Sequence, residues 1–169
     1  MTSLIRIVDR LLSGLLAVLM TAMVLDVTWQ VFSRFILREP SSVTEEIARF
    51  LLIWIGLLGA AWAYRRKSHL GIDILTERLT GRARAASRVF PHACALVFAA
   101  GVMGIGGWRL VRLTLDLNQV SASLGIPMGG VYLAVPMSGV LIGLYAAGFI
   151  IEAARESSES GTPPDRETD

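Results

Sequence analysis

Residues 41–73 have the sequence SSVTEEIARFLLIWIGLLGAAWAYRRKSHLGID. Ser42 precedes Glu45 by three residues, which is the spacing of a capping box at the start of a helix. Residues 50–64 carry no charge, and three basic residues follow at 65–67. A capped start, an uncharged middle and a basic end together predict one membrane-spanning helix. Because basic residues concentrate on the cytoplasmic side of a membrane, they also predict the direction in which this helix crosses it.

The composition of the whole chain is typical of a membrane protein. Of its 169 residues, 53% are hydrophobic, and the mean hydropathy of +0.57 is too high for an ordinary soluble domain. A net charge of +2 would suggest nucleic-acid binding in a soluble chain. Here the basic residues flank apolar segments, so orientation in the membrane explains them better, and no nucleic-acid partner is expected. The single cysteine excludes an intrachain disulfide bond.

Four apolar segments are long enough to cross a bilayer, which takes about 20 residues of helix. We therefore predict an all-α integral membrane protein with a single four-helix domain over residues 1–155. The expected transmembrane helices cover residues 11–37, 44–64, 88–108 and 128–151. The first resembles a signal peptide, but no small-residue cleavage site follows and the pattern continues past Asp26, so we expect a retained helix.

Two further segments lie outside these transmembrane helices. Ile72, Leu75 and Leu79 have helical spacing, which predicts a short amphipathic helix over residues 72–80 at the membrane surface. An ordinary basic loop fits so short a pattern equally well. Residues 156–169 lack core-forming side chains, so we expect a disordered cytoplasmic tail.

The distribution of charge predicts that both termini are cytoplasmic. With four transmembrane helices, eleven of the sixteen basic residues fall on the side that holds both termini and the 65–88 connection. This excess marks the inner side of the membrane. Seven of these residues lie in or beside that connection and are expected to face the headgroups of membrane phospholipids. They are Arg65, Arg66, Lys67, Arg78, Arg82, Arg84 and Arg88.

Asp26 is an ionisable residue within the first predicted transmembrane helix. An ionisable side chain in a membrane is costly and indicates a functional site by default. A proton or cation site would recruit further carboxylates, and none is expected at similar depth. Gln30 lies one helical turn further on and can hydrogen-bond Asp26. We therefore favour a structural or partner-facing role for Asp26 over ion coupling.

The residue types that metal and catalytic sites need do not form a recognisable set. His69 and His92 lack i,i+4 spacing and a nearby cluster of cysteines or carboxylates, so a metal or haem site is not expected. No serine–histidine–aspartate arrangement and no glycine-rich phosphate loop is apparent. We therefore expect no cofactor and no enzymatic activity.

Small residues recur at helical spacing in two of the apolar segments. In lipid, close contact at small residues is a principal source of helix association. Some of these faces must pack the four helices against one another, but they exceed what four short helices can bury. We therefore expect them to contact a larger membrane subunit. They are Gly56, Gly59, Ala60, Ala63, Gly139, Gly143 and Ala147. Pro136 should kink the fourth helix.

Two ordered series of residues resemble a known family. The first contains FSRF (32–35), EEIAR (45–49) and HLGID (69–73), and the second contains QVS (119–121) and LGIPM (124–128). In this order they resemble the small membrane subunit, of DctQ type, of tripartite ATP-independent periplasmic (TRAP) transporters.

The resemblance implies a non-catalytic subunit of the bacterial inner membrane that takes part in the uptake of an organic acid with sodium. Its partners would be a large membrane subunit, which carries the substrate and sodium sites, and a soluble periplasmic binding protein. The small subunit would brace the scaffold of the large one and help the binding protein dock. The residues then expected at the periplasmic rim are Arg34, Arg38, Glu45, Glu46, Arg49, Gln119 and Ser121.

Two other functions compete with this interpretation. One is a self-sufficient four-helix exporter that uses Asp26 as its proton carrier. The long segments 65–88 and 109–127 disfavour it, since such exporters are compact. The other is a haem-binding subunit of a respiratory enzyme, which would need paired axial histidines. In the favoured interpretation the substrate site lies on other chains, so no particular organic acid is predicted.

Overall fold

The computed structural model of the chain describes residues 2–38, 41–66 and 82–159. In these ranges the regular structure is helical, apart from one isolated β-bridge. Four helical segments are long and apolar enough to cross a membrane, as predicted, and we number them spans 1 to 4. The predicted amphipathic helix at 72–80 lies outside the described residues.

The first two spans form a helical hairpin. Span 1 consists of helix α1 (Thr2–Phe32) and a π-helical turn (Ser33–Leu37). It therefore begins nine residues before the predicted start at residue 11. Span 2 is helix α2 (Ser42–Arg65), close to the predicted 44–64.

The start of α2 differs from the predicted capping box. Ser41, in an extended conformation, is the N-cap, and its side chain accepts a hydrogen bond from the Thr44 N–H at 3.4 Å. Ser42 is already the first helical residue. The capping box predicted from Ser42 and Glu45 is therefore wrong, because the residue three positions after the true cap is a threonine.

The last two spans are interrupted helices. Their segments are α3 (Arg82–Phe98), a π-helical segment (Ala99–Gly106) and α4 (Gly107–Asp116) in span 3, and α5 (Met128–Tyr132) and α6 (Ala134–Glu159) in span 4. Span 3 thus extends beyond the predicted 88–108 at both ends. Helix α6 passes the predicted end at residue 151 and includes 156–159 of the segment predicted to be disordered, while residues 160–169 lie outside the described residues.

Span 4 is broken at Leu133 rather than at Pro136 itself. Proline lacks an N–H group, so Pro136 cannot bond to the carbonyl of Tyr132 four residues earlier. The helical bonds on either side persist, from Leu133 N to Gly129 O at 3.1 Å and from Met137 N to Leu133 O at 3.2 Å. The gap between α5 and α6 at Leu133 therefore lies within one turn of the proline, and the kink expected at Pro136 stays a prediction.

The spans lie side by side in the order 1–2–4–3. Span 2 packs against spans 1 and 4, and span 4 packs against spans 2 and 3. Among the described residues, the backbone of span 3 approaches only span 4, and that of span 1 approaches only span 2. Burial follows this order, since 33% of the most apolar window of span 4 is buried but only 6% of that of span 1. Span 4 is therefore central, and spans 1 and 3 form the two edges.

Spans 3 and 4 lie in close contact at Gly139. A Cβ atom added there would lie 2.7 Å from Met103 Cβ and 3.0 Å from the carbonyl oxygen of Ala99. These distances are too short for a real side chain, so a larger residue would force the two helices apart. On the other side of span 4, Tyr145 and Phe149 form a buried cluster with Leu12 of span 1 and Leu58 of span 2.

Candidate functional site

Polar side chains gather at the two ends of the row. The hairpin end, residues 26–38, 41–49 and 114–129, is where spans 1 and 3 end and spans 2 and 4 begin. The basic end, residues 5–13, 62–66, 89–92 and 145–153, lies at the opposite end of the same spans. At each end, side chains from different spans are joined by buried or half-buried polar contacts.

Residues 119–128 form a short hairpin-like loop at the hairpin end. Val120 pairs with Pro127 in an antiparallel bridge, and two backbone hydrogen bonds of 2.9 Å flank this pair. Gly125, with φ of 65°, closes the turn in a conformation that glycine adopts without strain. This segment is thus a loop of defined backbone shape, which we call the 119–128 hairpin.

Glu46 ties the start of span 2 to the 119–128 hairpin. Its Oε2 accepts hydrogen bonds from the backbone N–H groups of Ser123 at 2.9 Å and Leu124 at 3.0 Å. Glu46 is only 8% exposed, so its charge is compensated by these donors rather than by bulk water. Hydrogen bonds to a carboxylate are stronger than neutral ones. Glu46, which the resemblance placed at the periplasmic rim, is therefore a buried brace.

Gln30 connects spans 1 and 2 at the same end. Its Nε2 donates to Asp26 Oδ2 at 2.6 Å and to the carbonyl oxygen of Thr44 at 3.0 Å. The hydrogen bond predicted between Gln30 and Asp26 is confirmed. Because Asp26 holds an amide that bridges two helices, its carboxylate has a structural task at this position.

The residues predicted at the rim divide into an exposed and a buried group. Arg34, Arg38, Glu45, Arg49 and Gln119 are exposed at the hairpin end. Arg49 Nη2 lies 3.6 Å from Glu45 Oε1, which confirms that this i,i+4 pair shares a face. Glu46 and Ser121 are buried, at 8% and 5% exposure. An approaching protein would therefore meet three arginines, a glutamate and a glutamine.

At the basic end, Asp9 joins three spans. Tyr145 Oη donates to Asp9 Oδ1 at 2.8 Å, and Arg65 Nε donates to Asp9 Oδ2 at 3.3 Å. The Arg65 guanidinium also lies over the rings of Tyr145 and Phe149, with Cζ 5.9 and 5.8 Å from their centroids. Spans 1, 2 and 4 thus share one network around a single carboxylate.

At the basic end, His92 of span 3 contacts Tyr64 of span 2. Tyr64 Oη and His92 Nδ1 are 2.7 Å apart. The Phe149 ring lies 5.0 Å from the His92 ring and 5.9 Å from the Tyr64 ring, measured between centroids. His92 lies ten residues after the start of α3 at Arg82. His92, on span 3, therefore contacts side chains of both span 2 and span 4.

Sequence analysis did not single out Asp9 or Tyr145. Asp9 lies between Arg6 and Arg10, in a segment that we placed before the first helix. Tyr145 lies within an apolar segment, and a tyrosine hydroxyl buried there must find a hydrogen-bond partner. That requirement is the signal in the sequence that could have pointed to the pair.

The described residues include no group of three or more His, Cys, Asp or Glu side chains that could hold a metal ion. His69 and Asp73 lie outside the described residues, as do Lys67 and Arg78 of the residues predicted to face lipid. Arg65 and Arg66 are described, and both are at the basic end. The arrangement of the described side chains is suited to joining helices and presenting charge at the membrane surface.

Comparison with known families identifies the chain. Residues 23–156 match the DctQ component of the tripartite ATP-independent periplasmic transporters, and this is well over half of the sequence. The chain belongs to the DctQ family. The resemblance seen in the sequence is thereby confirmed.

Three of the proteins to which this chain is similar are named as TRAP transporter permease proteins. The sialic acid TRAP transporter small permease protein SiaQ of Vibrio cholerae is 30% identical over 121 residues, which cover 68% of this chain and 70% of SiaQ. The C4-dicarboxylate TRAP transporter small permease protein DctQ of the same organism is 29% identical over 101 residues, which cover 60% of this chain and 43% of that protein. The isethionate TRAP transporter permease protein DctMQ of Oleidesulfovibrio alaskensis is 32% identical over 123 residues, which cover 68% of this chain but 19% of that protein.

Membership of the DctQ family makes this chain a multi-pass protein of the bacterial inner membrane and a subunit of a transporter. TRAP small subunits work with a large permease subunit, and DctMQ names both components in one protein. Such permease subunits are not enzymes.

In the DctQ chain, the two predicted ridges of small residues have different surroundings. Gly139 is buried against span 3, and Leu96 Cδ1 lies 3.8 Å from the position of a Cβ added to Gly143, so these two glycines pack the subunit itself. Gly56 and Gly59 have no atom within 4 Å of such a Cβ, and Gly56 is exposed. Of the alanines, Ala60 is exposed, whereas Ala63 and Ala147 are half-buried. The ridge on span 2 is therefore the more open of the two.

Proposed function

We propose that this chain is the small, non-catalytic permease subunit of a TRAP transporter that takes up an organic acid together with sodium. It braces the scaffold of the large subunit, and its hairpin end helps the periplasmic binding protein dock. The observation that carries this proposal is the match of residues 23–156 to the DctQ family.

The names of the relatives support the proposed substrate class. Their names specify sialic acid, C4-dicarboxylates and isethionate, and all three are organic anions. A shared small subunit supports an organic acid as the substrate here as well. The substrate and sodium sites belong to the large subunit in this proposal.

The role as a brace is supported by an open strip on span 2. Leu52 is 59% exposed, Gly56 is exposed one turn later, and Ala60 is exposed after another turn. A helix of the large subunit can approach most closely where side chains are small, which gives close packing in lipid. Span 1, which packs against span 2 at the edge of the row, adds exposed apolar side chains.

The docking role is supported by the charge at the hairpin end. Both termini are cytoplasmic in this proposal, which places the hairpin end in the periplasm. Arg34, Arg38 and Arg49 are exposed there, beside a 119–128 hairpin that Glu46 holds in place. Attraction between exposed charges is screened by salt, so docking of the binding protein should weaken as ionic strength rises.

Reconstitution tests the proposed function. The tagged chain is extracted in mild detergent, and a second, much larger hydrophobic chain should co-purify with it. Vesicles that contain both chains should accumulate labelled sialic acid, a C4-dicarboxylate or isethionate when the binding protein and an inward sodium gradient are present. Vesicles that contain the small subunit alone should accumulate none.

The competing function predicts the opposite result in the same vesicles. If the isolated chain drives proton-coupled efflux, and Asp26→Asn abolishes that efflux, the chain is an exporter and the proposal is wrong. The Gln30 bridge at Asp26 leads us to expect that Asp26→Asn changes stability without creating or removing transport by the isolated chain.

Charge reversal at Arg49 tests the docking surface. Arg49→Glu should reduce uptake by the complete transporter at low ionic strength while leaving expression and co-purification unchanged, because Arg49 is an exposed residue of the rim. Arg109→Glu is the matched control, since Arg109 is exposed on span 3 and is not among the predicted rim residues. Equal uptake by both variants and the wild type would show that Arg49 is only a solvated surface residue.

A further inference from the structure

A cleft of about 480 Å³ lies between spans 1 and 2 at the basic end. The residues that line it are Asp9, Arg10 and Ser13 from span 1 and Trp62, Arg65 and Arg66 from span 2. It lies at the opposite end of the subunit from the 119–128 hairpin. The proposed function assigns no task to this cleft.

The cleft is positively charged despite the aspartate within it. Three arginines against one aspartate leave a net charge of +2. The Asp9 carboxylate is already bound by Tyr145 Oη at 2.8 Å and by Arg65 Nε at 3.3 Å. Arg10 and Arg66 are exposed and make no ion pair with a described residue. Among the described residues, no carboxylate therefore engages either of these two guanidinium groups.

Trp62 positions one arginine of the cleft, whereas the Ser13 hydroxyl proton is already used within span 1. The Arg66 guanidinium lies over the Trp62 ring, with Cζ 4.2 Å from the centroid, a contact that holds the cation against the wall of the cleft. The Ser13 hydroxyl donates to the Arg10 carbonyl oxygen at 3.1 Å. Arginine is suited to phosphate because its planar fork of N–H groups matches two phosphate oxygens.

We propose that this cleft binds the phosphate of an anionic phospholipid headgroup. The cleft lies where two apolar spans reach their basic ends, which is the depth at which headgroup phosphates and interfacial tryptophans are found. Arg10 and Arg66 hold the phosphate oxygens, and Arg65 remains paired with Asp9 behind them.

The surface next to the cleft favours a lipid over a soluble phosphate. Gly14 lies one turn after Arg10, is exposed, and has no atom within 4 Å of an added Cβ. Leu11 and Val18 are 68% and 65% exposed on the same helix. An acyl chain attached to a phosphate in the cleft can therefore pack on the apolar surface of span 1. A free phosphate has no apolar group that this surface could bury.

Lipid titration of the full-length chain in mild detergent tests the proposal. Native mass spectrometry counts adducts with phosphatidylglycerol or with phosphatidylcholine as each lipid is added. The wild type should retain phosphatidylglycerol in preference to phosphatidylcholine. Arg10→Gln and Arg66→Gln should each weaken phosphatidylglycerol binding about fivefold, since one basic side chain near a membrane surface contributes about 1 kcal/mol.

The matched control removes the same charge elsewhere. The double variant R109Q/R112Q loses two exposed arginines of span 3 and should bind phosphatidylglycerol like the wild type, whereas R10Q/R66Q should not. The single variants keep the comparison usable if either double variant does not fold, as judged by circular dichroism.

Three results would overturn the proposal. Equal losses in the two double variants would show only a general effect of charge, and no loss in R10Q/R66Q would show that the cleft is not the site. Displacement of the bound lipid by millimolar inorganic phosphate would assign the cleft to a soluble anion. Because transport is not measured, a failure of the lipid proposal is distinguishable from a failure of the proposed transport function.

Discussion

Glu45 and Glu46 are adjacent in the sequence but meet different surroundings. Consecutive residues of an α-helix point about 100° apart. The Glu45 side chain is 72% exposed beside Arg49, whereas Glu46 is 8% exposed beneath two backbone N–H groups of the 119–128 hairpin. At the scale of single residues, the same carboxylate chemistry therefore provides a surface charge in one position and a brace between spans in the next.

Replacing Glu46 tests this brace. Glu46→Gln keeps an acceptor oxygen but removes the negative charge that strengthens both hydrogen bonds, so it should lower the free energy of unfolding by about 1–1.5 kcal/mol. Glu45→Gln is the control and should cost about 0.5 kcal/mol or less, because it removes only an exposed ion pair. Unfolding in mixed micelles measures both. Equal stability of the two variants would contradict the assigned role.

Sequence spacing predicts local contacts at this scale and misses distant ones. The pairs Gln30–Asp26 and Arg49–Glu45 were predictable because residues four apart on a helix are neighbours. The partners of Glu46 are backbone groups 77 and 78 positions away, and the partner of Tyr145 is 136 positions away. A backbone N–H has no signature in the residue type, so no pattern in the sequence marks Glu46 as a brace.

At the scale of elements, glycines in spans 2 and 4 show that the same residue type has two uses. Gly139 lets span 4 approach span 3 until backbone and Cβ atoms touch. Gly56 faces open space on span 2. Periodicity placed both on small-residue ridges, since spacing alone does not say which ridge is filled within the chain. Hydropathy, which is local, predicted the existence of all four spans, but not the cap at Ser41 or the break at Leu133.

The same substitution at the two glycines should have different effects. Gly139→Ala puts a methyl group 2.7 Å from Met103 Cβ and should destabilise the isolated subunit by about 1–3 kcal/mol, the usual cost of overpacking. Gly56→Ala should leave stability unchanged or raise it by up to about 1 kcal/mol, because alanine is the better helix former. Unfolding in mixed micelles measures both. If Gly139→Ala were as stable as Gly56→Ala, the close approach of spans 3 and 4 would be wrong.

At the scale of the whole molecule, the distribution of basic residues along the sequence predicts the direction of the subunit in the membrane. Arg65 and Arg66 are at the basic end with Asp9 and His92, and the 119–128 hairpin is at the other end. Because the four spans cross the membrane, the hairpin end and the basic end lie on opposite sides of it. Which end faces the cytoplasm rests on the positive-inside rule.

Cysteine labelling measures the direction of insertion. In a Cys94→Ala background, Gln119→Cys should react with a membrane-impermeant maleimide in intact spheroplasts, because Gln119 is exposed at the hairpin end. Thr2→Cys should react only after lysis, because the start of α1 is expected in the cytoplasm. The reverse pattern would show that the subunit is inserted the other way round and would remove the hairpin end from the periplasm.

The order 1–2–4–3 has a consequence for the biogenesis of the subunit. During synthesis span 3 leaves the ribosome before span 4, yet among the described residues its backbone approaches span 4 alone. The newly inserted span 3 therefore remains in the lipid without its partner helix until span 4 is inserted. Spans 1 and 2 can pair at once, and the last helix to be made is the one that joins the early pair to the waiting span.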